Sequence, residues 1–326
     1  MMLNVDSSYR DIHCGPHHTA HRTRQHKRTT GGGVGVLNSL AAGAAAGAIA
    51  KTTIAPLDRC KINFQVSATP YSWTAALRFL RDAVHAEGWA ALWRGNSATM
   101  ARIVPYAAVQ FAAHEQWKRL LGVDTGAGGR AAPLRLLLAG SLAGVTSQSA
   151  TYPLDVARAR MAVAARPVGS LRAVLAGILR EEGAASLYRG YSATVLGVVP
   201  YAGVSFFTYD TLKQVHRERT GREPGGAVKL AMGGTAGALA QTASYPLDIV
   251  RRRMQTAARR ADRTYPYPTV SAALAQVWRA EGWRGFFKGL SMNWVKGPIA
   301  VGVSFTTYDF IKSALRGVDA ALPFDA

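Results

Sequence analysis

Three times in this chain a proline is followed by leucine, aspartate, two further residues and a basic side chain. Pro56-Leu57-Asp58 leads to Lys61, Pro153-Leu154-Asp155 to Arg158, and Pro246-Leu247-Asp248 to Arg251, at intervals of 97 and 93 residues. Each copy is followed by Glu-Gly, four residues, an aromatic, a base and a glycine: EGWAALWRG from Glu87, EGAASLYRG from Glu182 and EGWRGFFKG from Glu281. A third element closes each unit: His114-Glu115 with Lys118, Tyr209-Asp210 with Lys213, Tyr308-Asp309 with Lys312. Three compound motifs in one order and at nearly one period define an array of three units, and the fold must be built from that repeat.

The setting of the array follows from composition. Apolar residues make up 48% of the chain and charged residues only 18%, against about 25% in soluble domains. Thirty-nine Lys and Arg oppose 19 Asp and Glu, a net charge of +20. Low charge density with a strong positive excess points to a membrane or to anionic partners. Two cysteines, Cys14 and Cys60, are too few for a disulfide framework. The absence of an EF-hand loop, a P-loop or HExxH removes the calcium, NTPase and zinc-peptidase signatures.

A membrane-spanning helix needs about 20 mostly apolar residues. Segments 34–50, 136–154, 190–209 and 230–247 contain no Asp, Glu, Lys or Arg. Segments 95–114 and 289–308 contain one each, Arg102 and Lys296. A charge at such depth usually faces a protein interior or an aqueous cavity, so both are functional clues. The competing reading, buried helices of a large soluble core, draws on a mean hydropathy close to zero.

Each unit then reads as spanning helix, amphipathic surface helix, spanning helix. The expected fold is all-α: six transmembrane helices in three pseudo-symmetric repeats, at 34–122, 130–218 and 226–317, with tails at 1–33 and 318–326. Pro56, Pro153 and Pro246 fall late in the first helix of each unit, where a missing N–H kinks a helix. Gly43 and Gly47, Gly140 and Gly144, and Gly233 and Gly237 give the same helices a small-residue stripe expected to pack closely. Segment 71–86 mixes apolar and basic residues at helical spacing, as an interfacial helix does.

These motifs, with the stretches WRGNSATMARIVPYAAVQF, TYPLDVARARMAV, VLGVVPYAGVSFFTYDTLK and SMNWVKGPIAVGVSFTTYD, resemble the mitochondrial carrier family over residues 35–317. The resemblance implies a barrel of six helices around a central cavity, with three short amphipathic helices on the matrix side. It implies a multi-pass protein of the mitochondrial inner membrane that moves a small solute by alternating access. It implies contact with membrane lipid, including cardiolipin, and a monomer, with no cofactor and no covalent chemistry. The substrate class it implies is coenzyme A or a related adenine nucleotide such as dephospho-coenzyme A or ADP. Two alternatives stand beside it: another adenine-type ligand, ATP-Mg against phosphate or thiamine pyrophosphate, and, from a different class, a basic nucleic-acid-binding protein. The second predicts a soluble basic face, whereas these charges fall at helix ends in three-fold order, and the expectation is no nucleic-acid partner.

The resemblance further implies a matrix gate of three inter-helix pairs: Asp58–Arg158, Asp155–Arg251 and Asp248–Lys61. Gln65 and Gln255 match the family's bracing glutamines, while the second repeat has Ala162 in that place. A cytoplasmic gate would pair Glu115, Asp210 and Asp309 with Lys118, Lys213 and Lys312 of neighbouring helices, with His114 replacing the usual aromatic. Two such rings make a bistable device, because forming one pulls the other apart.

Departures from three-fold order mark where an asymmetric ligand is read. Counting seven residues from Gly95, Gly190 and Gly289 gives Arg102, Gly197 and Lys296. Pro105 and Pro200 follow that position by three residues but Pro298 by two, which leaves two registers for the third repeat. Five residues before each motif proline stand Lys51, Gln148 and Gln241, again one cation against two neutral side chains. With Arg252, these cations suit a ligand bearing several phosphates. Gly197, Val198 and Tyr201 match the place where nucleotide carriers of the family hold adenine: glycine opens space, valine supplies an apolar wall and tyrosine a stacking face. Residues 1–33 hold five histidines and Cys14 but no zinc-ligand spacing, so a solvated tail and no metal site are expected.

Overall fold

The structure, a computed structural model, describes residues 32–123, 132–164, 169–260, 262 and 264–321. The readings of the amino-terminal tail fall on residues outside this set. The described residues form nine α-helices and no strand: α1 Gly32–Val66, α2 Trp73–Glu87, α3 Asn96–Leu120, α4 Ala132–Val163, α5 Leu171–Glu181, α6 Tyr191–Thr220, α7 Gly226–Thr256, α8 Val270–Gly285 and α9 Leu290–Ala321. Each third of the chain is long helix, short helix, long helix. The last helix runs past the boundary expected at 317.

The six long helices form a closed ring in chain order, with α9 returning against α1. The tightest neighbours are α3 with α4, α6 with α7, and α9 with α1, so each repeat packs mainly through its last helix onto the first helix of the next. Helices α1, α4 and α7 also meet one another pairwise, and the three aspartate motifs lie there.

Pro56, Pro153 and Pro246 sit inside continuous helices α1, α4 and α7. Each proline deprives the carbonyl four residues earlier of its helical donor. In the first repeat that carbonyl, Thr52 O, accepts the Trp93 indole N–H at 2.8 Å.

The small-residue stripe packs one residue out of the expected register. A Cβ added at Gly43, Gly47, Gly140, Gly144, Gly233 or Gly237 would meet nothing within 4 Å. The buried stripe is alanine: Ala42, Ala46 and Ala50 in α1, Ala139 and Ala143 in α4, Ala236 and Ala240 in α7. Alanine keeps helix propensity while still allowing close approach.

The short helices begin alike. Ser72, Ser170 and Thr269 accept, through their hydroxyls, the backbone N–H groups of Ala75, Ala173 and Ala272, satisfying one orphan donor each. Gly88 and Gly183 follow α2 and α5 and Gly282 kinks α8, with φ of 82°, 86° and 63° and ψ of 171°, 170° and −161°. That region is essentially glycine-only, which accounts for the glycine of each Glu-Gly pair. A second glycine requirement lies at Gly95 and Gly190, both with positive φ, where an added Cβ would stand 2.8 Å from Arg158 O and 2.9 Å from Arg251 O.

The outer face suits lipid. Val104, Phe111, Val199, Phe207, Leu230, Phe305 and Phe310 are large, apolar and exposed on the long helices, as side chains against lipid would be. Trp73, Trp89, Trp278 and Trp283 are exposed around the short helices, as in an interfacial aromatic belt. By average hydropathy, one described stretch, Ala184–Thr220, is long and apolar enough to cross a bilayer. The remaining long helices include glycines, hydroxyl side chains and inward-facing charges in their averages.

Candidate functional site

The three expected inter-helix pairs are all formed. Arg158 of α4 donates to Asp58 of α1. Arg251 of α7 donates to Asp155 of α4. Lys61 of α1 donates to Asp248 of α7, with Nζ 2.9 Å from Oδ2. Each pair joins helices from different repeats, so together they tie α1, α4 and α7 into a triangle.

Two glutamines brace this triangle. Gln65 Nε2 donates to Asp248 Oδ2 at 3.0 Å and to the Tyr245 hydroxyl at 3.3 Å. Gln255 Nε2 donates to the Tyr152 hydroxyl at 3.0 Å and to Asp155 Oδ2 at 3.4 Å. Tyr152 and Tyr245, absent from the sequence reading, each precede a motif proline and donate their hydroxyl hydrogen bonds to Arg189 O and Lys288 O. The Asp58–Arg158 pair lacks both brace partners, since Ala55 precedes Pro56 and Ala162 stands where the third glutamine would be.

A second charge layer underlies the first, and sequence reasoning assigned it no role. Glu182 takes Arg160 at 2.5 and 2.8 Å. Glu281 takes Arg253 and Lys288, each at 2.5 Å, and Glu87 takes Arg94 and, at 3.7 Å, Arg59. These acids anchor the short helices to α1, α4 and α7. The signal was available, since the glutamates recur at a fixed place in the second motif. Burial works against the charge of Glu182, but the Arg160 guanidinium and the Tyr265 hydroxyl hold its carboxyl below the usual glutamate range.

The second expected ring is not assembled. Glu115 accepts Lys118 of its own helix at 2.9 Å. Lys213 lies 3.9 Å from Glu223, beyond the end of α6, and Lys312 stands over the Tyr308 ring at 5.5 Å. Asp210 and Asp309 make no ion pair among the described residues. The two rings are therefore in opposite conditions, one joined and one apart.

Between them lies a cavity of about 480 Å³. Gly197, Val198 and Tyr201 of α6, Arg252 of α7 and Lys296 of α9 line it. Lys51 does not: it borders a smaller cleft with Asp58 and Arg158 and makes no ion pair among the described residues. Arg102 turns onto α4, donating to Gln148 Oε1 at 2.6 Å, to Thr151 Oγ1 at 3.1 Å and to Asp155 Oδ1 at 3.4 Å. Lys296 donates to Asp58 Oδ1 at 2.7 Å. This match to the Arg102–Asp155 contact fixes the register of the third repeat, with Lys296 as the counterpart of Arg102.

Asn293 is a cavity residue with no earlier signal. It is 3% exposed, and neither amide atom has a partner. Thr99 and Thr194 hold the same place in the other repeats and return their hydroxyls to Gly95 O and Gly190 O.

The family described as mitochondrial carrier protein matches the chain three times, over residues 33–125, 129–220 and 223–319. The chain belongs to the mitochondrial carrier family. It is thus a multi-pass carrier of the mitochondrial inner membrane, in which three repeats surround one solute path. It is 55% identical over 285 residues to the mitochondrial coenzyme A transporter of Homo sapiens, covering 86% of this chain and 89% of that protein. It is 54% identical over 288 residues to the protein of the same name from Danio rerio, covering 87% and 89%. The mitochondrial carrier protein CoAc1 of Zea mays is 38% identical over 299 residues, covering 86% and 87%. The joined triangle is the ring for which the resemblance implies the matrix side.

Proposed function

We propose that this carrier exchanges coenzyme A, or a closely related adenine nucleotide, across the mitochondrial inner membrane by alternating access. The observation that carries the reading is the asymmetry of the cavity. Of three equivalent positions, Lys296 lines the cavity, Arg102 is held beside it on the lining residue Gln148, and the third is Gly197, with apolar and aromatic surface beside it. That pattern supports a ligand with phosphates at one end and a planar base at the other. The joined Asp58, Asp155 and Asp248 pairs and the separated second ring correspond to a cytoplasm-open state.

Partly exposed ion pairs contribute at most about 1 kcal/mol each, while breaking a desolvated pair by removing one partner costs about 3–5 kcal/mol. A ring of three therefore biases two states by a few kcal/mol, within reach of substrate binding. The carrier acts on its solute without covalent chemistry, as a monomer, with its apolar outer face against lipid, cardiolipin included.

Uptake into liposomes by the purified protein tests the substrate, screened over coenzyme A, dephospho-coenzyme A, ADP, ATP and thiamine pyrophosphate. Coenzyme A or its adenine-bearing fragments should be taken up first. A folded protein that moves none of the adenine ligands would overturn the reading, and transport of thiamine pyrophosphate alone would replace it with the alternative.

A further inference from the structure

The three gate aspartates are not equivalent. Asp58 uses both carboxylate oxygens, Oδ2 for Arg158 and Oδ1 for Lys296. Asp155 also uses both, Oδ2 for Arg251 and Oδ1 for Arg102. In each case the second cation comes from the last helix of the preceding repeat. Around the ring, the position that should supply the second cation to Asp248 is Gly197. Asp248 gives Oδ2 to Lys61 and Gln65, while its Oδ1 accepts no hydrogen bond among the described residues. Its side chain is 25% exposed, against 9% for Asp58 and 1% for Asp155.

Backbone geometry does not demand the glycine. Residue 197 is inside α6, and a Cβ added there would meet only Leu247 Cβ, at an ordinary 3.7 Å. Leu247 directly precedes Asp248, and Gly197, Leu247 and Asp248 all line the cavity. The missing side chain therefore leaves a niche beside an available carboxylate oxygen. Arg252, one residue beyond the gate base, adds positive charge nearby but spends a donor on Gln255 Oε1 at 2.9 Å.

We infer that Asp248 Oδ1 is a ligand-binding acceptor, and that the exocyclic amino group of adenine donates to it. The ligand's own N–H would thus stand where Arg102 and Lys296 stand in the other two repeats. This rests on the adenine-nucleotide reading above and adds to it a determinant of orientation. A carboxylate repels phosphate and attracts an N–H donor. One part-exposed acid, in a cavity whose other charged lining residues are Lys61, Arg251, Arg252 and Lys296, points the base toward α7 and the phosphates toward the cations. It also links recognition to the gate, because the donor binds the carboxylate that holds Lys61.

The test compares ADP with IDP, whose 6-oxo group replaces the amino donor by an acceptor, in thermal-shift titrations and exchange on the full-length protein. Wild type should bind ADP at least tenfold more tightly than IDP, since an acceptor facing Asp248 is left unpaired. Gly197→Lys would supply the absent counter-ion. It should raise the ligand-free melting temperature, weaken ADP and abolish the ADP-over-IDP preference, while Gly197→Ala should keep most of that preference. Equal affinity of wild type for ADP and IDP overturns the inference and leaves the carrier reading intact. Equal affinities that depend on magnesium assign the oxygen to a metal ion and overturn it as well. A Gly197→Lys protein with an unchanged or lowered melting temperature removes the counter-ion argument and overturns it too. Failure of wild type to bind either nucleotide counts against the adenine-nucleotide reading itself.

Discussion

Lys296 Nζ lies 2.7 Å from Asp58 Oδ1, on the opposite oxygen from Arg158. A cation placed by sequence among the substrate residues is, in this state, also a counter-ion of the gate. Arg102 stands in the same relation to Asp155. Phosphate that draws these cations into the cavity removes one of two counter-ions from two gate aspartates, which weakens the closed ring as the ligand binds. Differential affinity of this kind is what moves a two-state equilibrium.

Arg102→Ala separates the two roles by two readouts. Losing a charge-assisted bond to phosphate costs about 1.5–3 kcal/mol, so affinity for every phosphorylated ligand should fall roughly ten- to hundred-fold. The ligand-free protein should also melt at a lower temperature, because Asp155 loses a counter-ion. Weakened binding with unchanged ligand-free stability would show that the Arg102–Asp155 contact contributes nothing to the gate.

The matrix ring is tested by charge reversal. Asp155→Arg sets like charges against Arg251 and Arg102, and disrupting a buried pair costs about 3–5 kcal/mol. Combining it with Arg251→Asp rebuilds the pair in reverse and should restore part of that loss. A double-mutant cycle on thermal stability should give coupling of about 1 kcal/mol or more; additive losses would contradict the pairing.

Two glycine substitutions should differ sharply. Gly43→Ala adds a methyl that meets nothing within 4 Å and should leave stability unchanged or raise it by up to about 1 kcal/mol through helix propensity. Gly95→Ala forces a non-glycine residue to φ of 83° with its Cβ 2.8 Å from Arg158 O and should cost about 2 kcal/mol or more. Equal effects would mean that the Gly43 stripe, rather than the alanine stripe beside it, makes the close contact.

Glu182 gives a pH signature outside the membrane. Its carboxyl is held below the ordinary value by Arg160 and Tyr265 despite burial. The stability it contributes is therefore complete above the unfolded-state value of about 4.3 and is lost as pH falls through the lower folded-state value. Melting curves of wild type and Glu182→Gln should converge as the pH is lowered below about 4.3. A difference that stays constant with pH would rule out titration of Glu182 as the cause.

The gate residues were readable because an acid and a base three residues apart recur in three helices, and the family resemblance supplied which helix each one pairs with. The hydroxyl braces were not. Tyr152 precedes Pro153 in sequence, but its partner Gln255 lies 103 residues away, a contact that only the packed ring reveals. The alanine stripe was hidden for another reason. Alpha1 is rich in both Ala and Gly, so two small-residue stripes coexist one residue apart, and the rotation of the packed helix decides between them. The attachment of Arg102 to Gln148 and Asp155 is seen with the Asp58, Asp155 and Asp248 ring joined, and a sequence does not encode one state alone. Asn293 stood in the same register as Thr99 and Thr194, yet only the unpaired amide distinguishes it from a structural replacement.

The central claim is exchange of an adenine-bearing ligand through a cavity that opens to one side at a time, and counter-exchange in liposomes tests it most directly. Vesicles containing the purified carrier are loaded with ADP or left empty, and labelled coenzyme A is added outside. Uptake is expected in the ADP-loaded vesicles and near background in the empty ones. Equal uptake by both would contradict obligatory exchange, and no uptake by either, from protein shown to be folded, would contradict the substrate.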